Sequence, residues 1–159
     1  MAAVAACGST TSWGGLGPPG LEAFGQSFTT PGTYTDCYTF SLSEPAVSFG
    51  GLIEIDPLFN KLDIDVTSIS LFAGNASVND SIAHPLVFAF GGLAGGLSAP
   101  MYTLAIESVV TTDPGWRIRP VGYAGTIVTA GAAVPEPGSM ALFAATLLIL
   151  AIVRRRQPG

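Results

Sequence analysis

The chain has 159 residues, a length that suits one domain with a buried core and leaves little room for a second. Charged residues make up only 11% and there are 20 Gly and 12 Pro, a composition typical of an all-β extracytoplasmic domain. Up to Val134, ten acidic residues outnumber three Lys and Arg, which gives a net charge of −7. A domain with this net negative charge would repel the phosphate backbone of a nucleic acid, which excludes nucleic-acid binding.

Residues 1–32 are expected to be the remnant of a truncated signal peptide followed by a loop-rich stretch. Met1–Cys7 has small residues suited to a cleavage region, but it lacks a basic n-region and an apolar core. A start site assigned too far downstream explains this pattern. Val4–Cys7 also resembles a lipobox, which would make Cys7 a lipid-carrying residue. From Ser9 to Gly32, glycines and prolines predict turns.

The sequence contains two cysteines, Cys7 and Cys37. Outside the cytoplasm they could form a disulfide. If Cys7 instead belongs to a removed signal peptide, Cys37 is a free thiol. Two isolated cysteines leave both alternatives open.

Apolar and polar residues alternate with a period of two through residues 33–131, which predicts about eight short strands. Leu62, Ile64 and Val66, for example, alternate with two aspartates. Strands at this density predict an antiparallel β-sandwich, either jelly-roll-like or immunoglobulin-like. The predicted strands are Tyr34–Leu42, Val47–Phe49, Ile53–Ile55, Leu62–Val66, Ile69–Leu71, Leu86–Phe90, Tyr102–Val110 and Val121–Ile127.

Three aromatic residues share one face of the first predicted strand, namely Tyr34, Tyr38 and Phe40. Counting by twos places Asp36 on the same face. A carboxylate among inward aromatic rings is costly unless it is hydrogen-bonded. We therefore expect Asp36 to accept hydrogen bonds from the backbone amides of a turn or from a tyrosine hydroxyl. The alternative is a role for Asp36 in binding a ligand or a metal.

No arrangement in the sequence predicts catalysis, so we expect a protein that is not an enzyme. The single histidine, His84, precedes a proline, and no serine lies in a G-x-S-x-G pattern. One histidine without cysteine pairs also predicts no zinc site. Asp63 and Asp65 share one strand face, where they could help to hold Ca²⁺ or form a glycosidase pair. We favour a solvated outer face and expect neither a metal nor a cofactor.

The chain ends in a linker, an apolar segment and a basic cluster. In residues 132–139, two prolines favour an extended and exposed backbone. Residues 140–153 carry no charge and predict one transmembrane helix. Residues 154–159 contain three consecutive arginines, which by the positive-inside rule predict a cytoplasmic tail. The domain before them would therefore lie outside the cytoplasm.

The parts of this tail occur in a fixed order, with Pro135-Glu136-Pro137 first, the apolar segment next and Arg154-Arg155-Arg156 last. In this order they resemble a PEP-CTERM sorting signal, the tail of Gram-negative bacterial proteins that exosortases handle. The resemblance implies export, transient single-pass anchoring in the inner membrane, and processing near the Pro-Glu-Pro motif. It also implies transfer to the cell surface or the extracellular space, and a link to exopolysaccharide production.

The aromatic stretch at the start of the domain is similar to the N-terminal motif of FxDxF-type PEP-CTERM proteins. The residues that carry this similarity are Tyr34, Asp36, Tyr38 and Phe40. Tyrosines stand at positions 34 and 38, where the motif has phenylalanines. Residues 102–104 and 122–126 look like the last two strands of the same group. The resemblance implies architecture and destination but no chemistry.

We therefore expect an exported, exosortase-processed protein of the cell surface or extracellular matrix, non-enzymatic and associated with exopolysaccharide. The alternative is a carbohydrate-binding module for the producer's own polysaccharide. Such a module needs exposed aromatic rings to contact the glycan. The candidates for that contact are Trp13, Trp116 and Tyr123.

Overall fold

The computed structural model describes residues 7–73, 76–80, 87–90, 96–98 and 100–132. In this part of the chain all regular structure is β, arranged as two sheets packed into a sandwich, which confirms the predicted all-β sandwich. The strands within the described residues are β1 (Ser9–Gly15), β2 (Gly20–Phe28), β3 (Gly32–Ser41), β4 (Ala46–Ile55), β5 (Leu62–Ala73), β6 (Ala76–Asp80), β7 (Val87–Phe90), β8 (Met101–Thr112) and β9 (Val121–Gly131).

The two sheets have the strand orders β1-β3-β8-β5-β6 and β2-β9-β4-β7. Among the described strands, neighbours pair antiparallel except for β1, which pairs in parallel with β3 at the edge of its sheet. β2 forms the edge of the other sheet. The Trp13 ring on β1 lies 5.7 Å, centroid to centroid, from the Phe24 ring on β2. The two edge strands therefore bound the same side of the sandwich.

Residues 9–28 contain the strands β1 and β2, so the prediction of a loop-rich stretch there is wrong. On β1 most residues are exposed, because the strand lies at an edge. A bulge takes Trp13 out of the ladder with β3, and its ring stacks on Tyr38 at 4.9 Å between centroids. β2 buries fully only Phe24 and Phe28. Neither strand therefore has a strong period-two pattern.

Two pairs of predicted strands each form one longer strand, β4 and β5. In β5 a bulge after Val66 shifts the inward positions from even to odd residue numbers. Ile64 and Val66 before the bulge and Ile69 after it are all buried. The Val66 amide donates a hydrogen bond to Glu54 Oε1 of β4 at 2.6 Å. Because of the bulge, the apolar side chains before it and those after it all face the core, although their residue numbers change from even to odd.

The hydrophobic core lies between the two sheets and takes residues from both. Its most fully buried large apolar side chains are Tyr123, Phe40, Phe90, Ile69, Leu71, Leu104, Ile106 and Ile127. Full burial of one such aliphatic or aromatic side chain contributes about 1.5–3 kcal/mol. Apolar burial is therefore the main force that holds the sheets together.

A disulfide joins Cys7 to Cys37, with 5.7 Å between their Cα atoms. Of the two alternatives that the sequence left open, the structure has the paired one. The bond links the residues just before β1 to the middle of β3. Next to it, the Gly8 amide donates a hydrogen bond to the Thr35 carbonyl oxygen at 2.8 Å. Together these contacts hold the edge strand β1 in its parallel register.

Loss of the disulfide should destabilise the domain. A crosslink across 30 residues contributes on the order of 3–4 kcal/mol by restricting the unfolded chain. We expect the Cys7→Ser/Cys37→Ser variant to lose about that much free energy of unfolding in guanidinium denaturation. A reducing agent should destabilise the unsubstituted protein and leave the variant unchanged. Two titratable thiols in the exported, unreduced protein would contradict the pairing.

Candidate functional site

A buried carboxylate lies where β1, β3 and β9 approach one another. Asp36 on β3 is only 4% exposed. Its Oδ2 accepts a hydrogen bond from the Tyr123 hydroxyl at 2.7 Å, and its Oδ1 accepts one from the Ser9 hydroxyl at 2.5 Å. The Tyr38 hydroxyl oxygen lies 3.2 Å from that of Tyr123. The expectation that a tyrosine hydroxyl bonds to Asp36 is confirmed.

The hydrogen bonds of this network run toward the carboxylate. An ionised carboxylate only accepts, so Tyr123 donates its single hydroxyl proton to Asp36. Tyr38 can then donate either to the Tyr123 oxygen or to the Gly25 carbonyl oxygen at 3.5 Å. Hydrogen bonds to a charged acceptor are stronger than those between neutral groups. They offset the cost of removing the Asp36 carboxylate from water.

Burial raises the pKa of both tyrosines in the network. For Tyr123, desolvation is the largest cause, and the hydrogen bonds to Tyr38 and Asp36 raise the pKa further. For Tyr38, desolvation also comes first; the hydrogen bond with Tyr123 lowers the pKa and the charge of Asp36 raises it. Both hydroxyls therefore keep their protons well into alkaline solution, and the network stays intact across the neutral range.

Beside this network lies a cleft of about 360 Å³, here called the Asp36 cleft. Phe24, Gln26 and Phe28 occupy alternate positions on the inner face of β2, yet Gln26 is exposed while both phenylalanines are buried. Gln26 lies on the edge strand and lines the cleft. The residues that line it are Gly8, Ser9, Gln26, Ser27, Phe28, Thr33, Tyr34, Thr35 and Asp36.

One wall of the Asp36 cleft is a fixed aromatic ring. Tyr34 stacks on Phe28 with 4.2 Å between ring centroids and 29° between ring planes. The Tyr34 hydroxyl donates a hydrogen bond to the Thr30 carbonyl oxygen at 2.8 Å. Because both the ring and its hydroxyl are held, Tyr34 would lose little conformational freedom on contact with a ligand.

The residues of the aromatic motif divide between the cleft and the core. Tyr34 and Asp36 line the cleft, whereas Tyr38 and Phe40 continue the same strand face into the core. Sequence reasoning missed the polar residues that complete the cleft. Ser9 and Asp36 are partners in the β1–β3 ladder beside the disulfide. The cysteines alone do not predict that contact, because a parallel ladder aligned on Cys7 and Cys37 would place Ser9 opposite Thr39.

Two of the three aromatic candidates for glycan contact are not exposed rings. Tyr123 is 1% exposed, so its assignment to glycan contact is wrong. Its alternation with Val121 and Ile127 places all three side chains in the core. Trp13 is half-buried against the core. Trp116, in contrast, is 68% exposed.

Trp116 belongs to a second surface, the loop tip, where the β4–β5 and β8–β9 loops meet. The exposed apolar side chains of the loop tip are Leu58, Phe59, Trp116 and Ile118. The Arg117 guanidinium lies 4.4 Å from the centroid of the Trp116 ring. This cation–π contact covers one face of the ring.

The two loops of the tip are held together by backbone contacts and a buried amide. Asn60 Nδ2 donates to the Arg119 carbonyl oxygen at 2.9 Å, and its Oδ1 accepts from the Arg119 amide at 2.8 Å. A Cβ at Gly115 would lie 1.8 Å from the Asn60 carbonyl oxygen, so only glycine permits this approach. Phe59 has φ 61, a strained value for an aromatic residue. The loop tip is therefore a defined structure.

Asp63 and Asp65 lie on the exposed face of β5. Asp63 hydrogen-bonds to Asp56, and the pKa of Asp56 is raised first by desolvation, then by this bond and by the surrounding acidic charges. Among the residues that the structure describes, no group of three or more His, Cys, Asp or Glu side chains could hold a metal ion. The side chains of Asp63 and Asp65 are therefore exposed to solvent.

Several predicted features lie outside the described residues. These are His84, the Pro135-Glu136-Pro137 motif, the apolar segment 140–153 and the Arg154-Arg155-Arg156 cluster. Within the described ranges, no helix has both the length and the apolar character needed to cross a membrane. The predicted transmembrane helix therefore stays a prediction.

Comparisons with known proteins bear on the tail. Residues 133–156 match the model of the PEP-CTERM protein-sorting motif. The chain carries a PEP-CTERM sorting signal. This confirms the tail resemblance, and the signal implies an exported protein that an exosortase processes; the FxDxF subtype stays a prediction.

For the domain itself, no curated protein matches the chain. Among solved structures, the chain is similar to the crystal structure of Aeromonas hydrophila PliG, a periplasmic lysozyme inhibitor of g-type lysozyme. The two are 13% identical, with a TM-score of 0.40, over 75% of this chain and 99% of the other. A likeness at this level carries no argument about function.

Tyr123→Phe should destabilise the domain by about 1.5–3 kcal/mol, because Asp36 loses a charge-assisted hydrogen bond inside the core. Tyr34→Phe is the matched control, since it removes the same atom from an exposed hydroxyl that bonds to Thr30. We expect the control to change the free energy of unfolding by less than about 0.5 kcal/mol. Urea denaturation measures both; equal losses would contradict a special role for the Asp36 bond.

Alkaline solution should unfold the domain through Tyr38 and Tyr123. In the unfolded chain both ionise near pH 10, at about the ordinary tyrosine pKa. In the folded protein their pKa values are raised, so above that pH the folded state binds more protons. Stability should then fall as pH rises, by about 1.4 kcal/mol per pH unit for each tyrosine. In the Tyr34→Phe variant, which lacks the exposed tyrosine hydroxyl, phenolate absorbance should appear only as near-ultraviolet circular dichroism is lost; phenolates in that variant while it is still folded would refute this.

Proposed function

We propose that this chain is an exosortase-processed protein of the cell surface or extracellular matrix that is non-enzymatic and associates with exopolysaccharide. The observation that carries the proposal is the PEP-CTERM protein-sorting motif at residues 133–156. Export and exosortase processing follow from the motif. The association with exopolysaccharide rests on the link between such signals and exopolysaccharide production.

The proposed route includes a single-pass stage in the inner membrane. The 14 residues from Met140 to Val153 would give about 21 Å of helix, shorter than the hydrocarbon thickness of about 30 Å, and the arginines that follow could reach the headgroups across a locally thinned bilayer. Arg154, Arg155 and Arg156 would then keep the C-terminus in the cytoplasm. The Pro-Glu-Pro segment would lie on the outer side, where an extended backbone suits the cleft of a processing enzyme.

A non-enzymatic role is supported by the chemistry of the described carboxylates. Both oxygens of Asp36 are held by hydroxyl donors, so this group is not poised to move a proton. Asp63 and Asp65 lie side by side on one exposed strand face. A glycosidase pair would have to be opposed across a cleft.

The carbohydrate-binding module is a second candidate, favoured by the exposure of Trp116 at the loop tip. Arg117 covers one face of that ring, as Phe28 covers one face of Tyr34, so this contact does not by itself exclude a sugar. The exposed neighbours Leu58 and Ile118 offer no hydrogen bonds to hydroxyl groups. The loop tip is therefore a poorer glycan surface than exposure alone indicates.

The processing step can be tested by the intact mass of the mature protein from a host with and without its exosortase. We expect the residues beyond the Pro-Glu-Pro region to be lost only when the enzyme is present. A variant with Pro135→Ala, Glu136→Ala and Pro137→Ala should keep its tail in both hosts. The same spectra would define the mature N-terminus. An uncleaved tail in both hosts would reduce the protein to an ordinary single-pass membrane protein.

A further inference from the structure

We infer that the Asp36 cleft binds a neutral saccharide unit of the exopolysaccharide, an inference that rests on the proposed association with that polymer. The cleft volume of about 360 Å³ lies within the range of small-ligand sites, roughly 300–1,000 Å³. At the cleft, an inner-face position also carries exposed Gln26 instead of a core residue. A polar residue at this position adds no buried apolar surface to the stability of the fold. Contact between Gln26 and a ligand would explain why the position is polar.

The lining of the Asp36 cleft matches a ligand rich in hydroxyl groups. Ser9 donates its proton to Asp36, so the Ser9 oxygen can only accept from a ligand hydroxyl. Each Asp36 oxygen has one hydrogen bond and retains acceptor capacity. Gln26 Oε1 accepts from the Ser27 amide at 3.4 Å, which leaves the Gln26 amino group as a donor. Thr33 also lines the cleft, but its side chain is on the opposite face of β3 from Tyr34 and Asp36, so the donor on the cleft side is Gln26.

The aromatic wall supplies the apolar part of such a contact. A pyranose ring has polar edges and C–H groups on its faces, and an aromatic ring offers a flat apolar surface for those faces. Tyr34 is held by its stack on Phe28 and by its bond to Thr30. Fixed aromatic rings beside polar groups that set orientation are the usual composition of a small-molecule site.

The charge of the cleft selects against acidic ligands. Its lining contains the carboxylate of Asp36 and no Lys, Arg or His. The three basic residues before Val134 are Lys61, Arg117 and Arg119, which lie instead at the loop tip or its base. A phosphate or a uronate in the Asp36 cleft would meet a negative charge without a cation to pair with it. A neutral sugar meets no such penalty.

The position of the cleft suits a protein tethered by its C-terminus. Phe28 at the cleft pairs with Val121, the first residue of β9. The chain then runs along the 11 residues of β9 to Gly131, a length of about 35 Å, before it reaches the sorting motif. The cleft thus lies at the end of the sandwich away from the tether, where it could reach polymer while the tail is still in place.

The test uses the mature protein obtained after exosortase processing, and oligosaccharides from partial hydrolysis of the producer's exopolysaccharide, separated into neutral and acidic fractions. Isothermal titration calorimetry should detect binding of the neutral fraction. The Gln26→Ala variant should bind about fivefold more weakly or worse, because it loses a hydrogen-bond donor of the cleft. Two exposed controls, Thr126→Ala on β9 and Trp116→Ala at the loop tip, should bind within about twofold of the unsubstituted protein. Thermal denaturation would confirm that all variants fold.

Three outcomes would overturn the inference, namely binding of the acidic fraction alone, no binding of neutral fragments, and loss of binding in Trp116→Ala but not in the cleft variant. The last would assign recognition to the loop tip. Retention of the protein on intact exopolysaccharide is a separate measurement. If the cleft variant is retained as well as the unsubstituted protein, the proposed association stands and only the cleft assignment fails. If the unsubstituted protein is not retained, the association itself fails.

Discussion

The hydrogen bonds of the Asp36 carboxylate are the constraint on which much of this domain depends. They join β3 to Tyr123 on the opposite sheet and to Ser9 on the edge strand. An unpaired carboxylate at this depth would cost several kcal/mol, so both donors contribute to the stability of the fold. A slip of one residue between β1 and β3 would remove Ser9 from Asp36. The network therefore specifies register as well as satisfying a charge.

The strands that the sequence predicted correctly are those with one face in the core. β3, β8 and β9 bury every second side chain in the core over most of their length, and β5 does so on either side of its bulge, which is why it was predicted as two shorter strands. The same period of two placed Asp36 inward and required a donor for it. It also grouped Tyr123 with Val121 and Ile127, which already implied burial. The assignment of Tyr123 to glycan contact was therefore at odds with its own strand pattern.

The strands that the sequence missed have few core contacts. β1 exposes most of its residues, and its one core aromatic, Trp13, sits at a bulge that breaks alternation. β2 leaves Leu21 67% exposed and carries Gln26 on its inner face. Edge strands have one partner and part of a face in water, so period and propensity carry little information there. Four of the nine residues that line the cleft lie on these two edge strands, so the sequence predicted the β3 side of the cleft but not the side that faces it.

The division between domain and tail decides what processing can change. β9 ends at Gly131, and the sorting motif begins at residue 133. All pairing of β9 with β2 and β4 lies before that point. The disulfide and the Asp36 network also lie within residues 7–123. Removal of the tail therefore takes no strand and no core residue from the described domain, so the domain offers the same cleft and the same loop tip whether it is tethered or released.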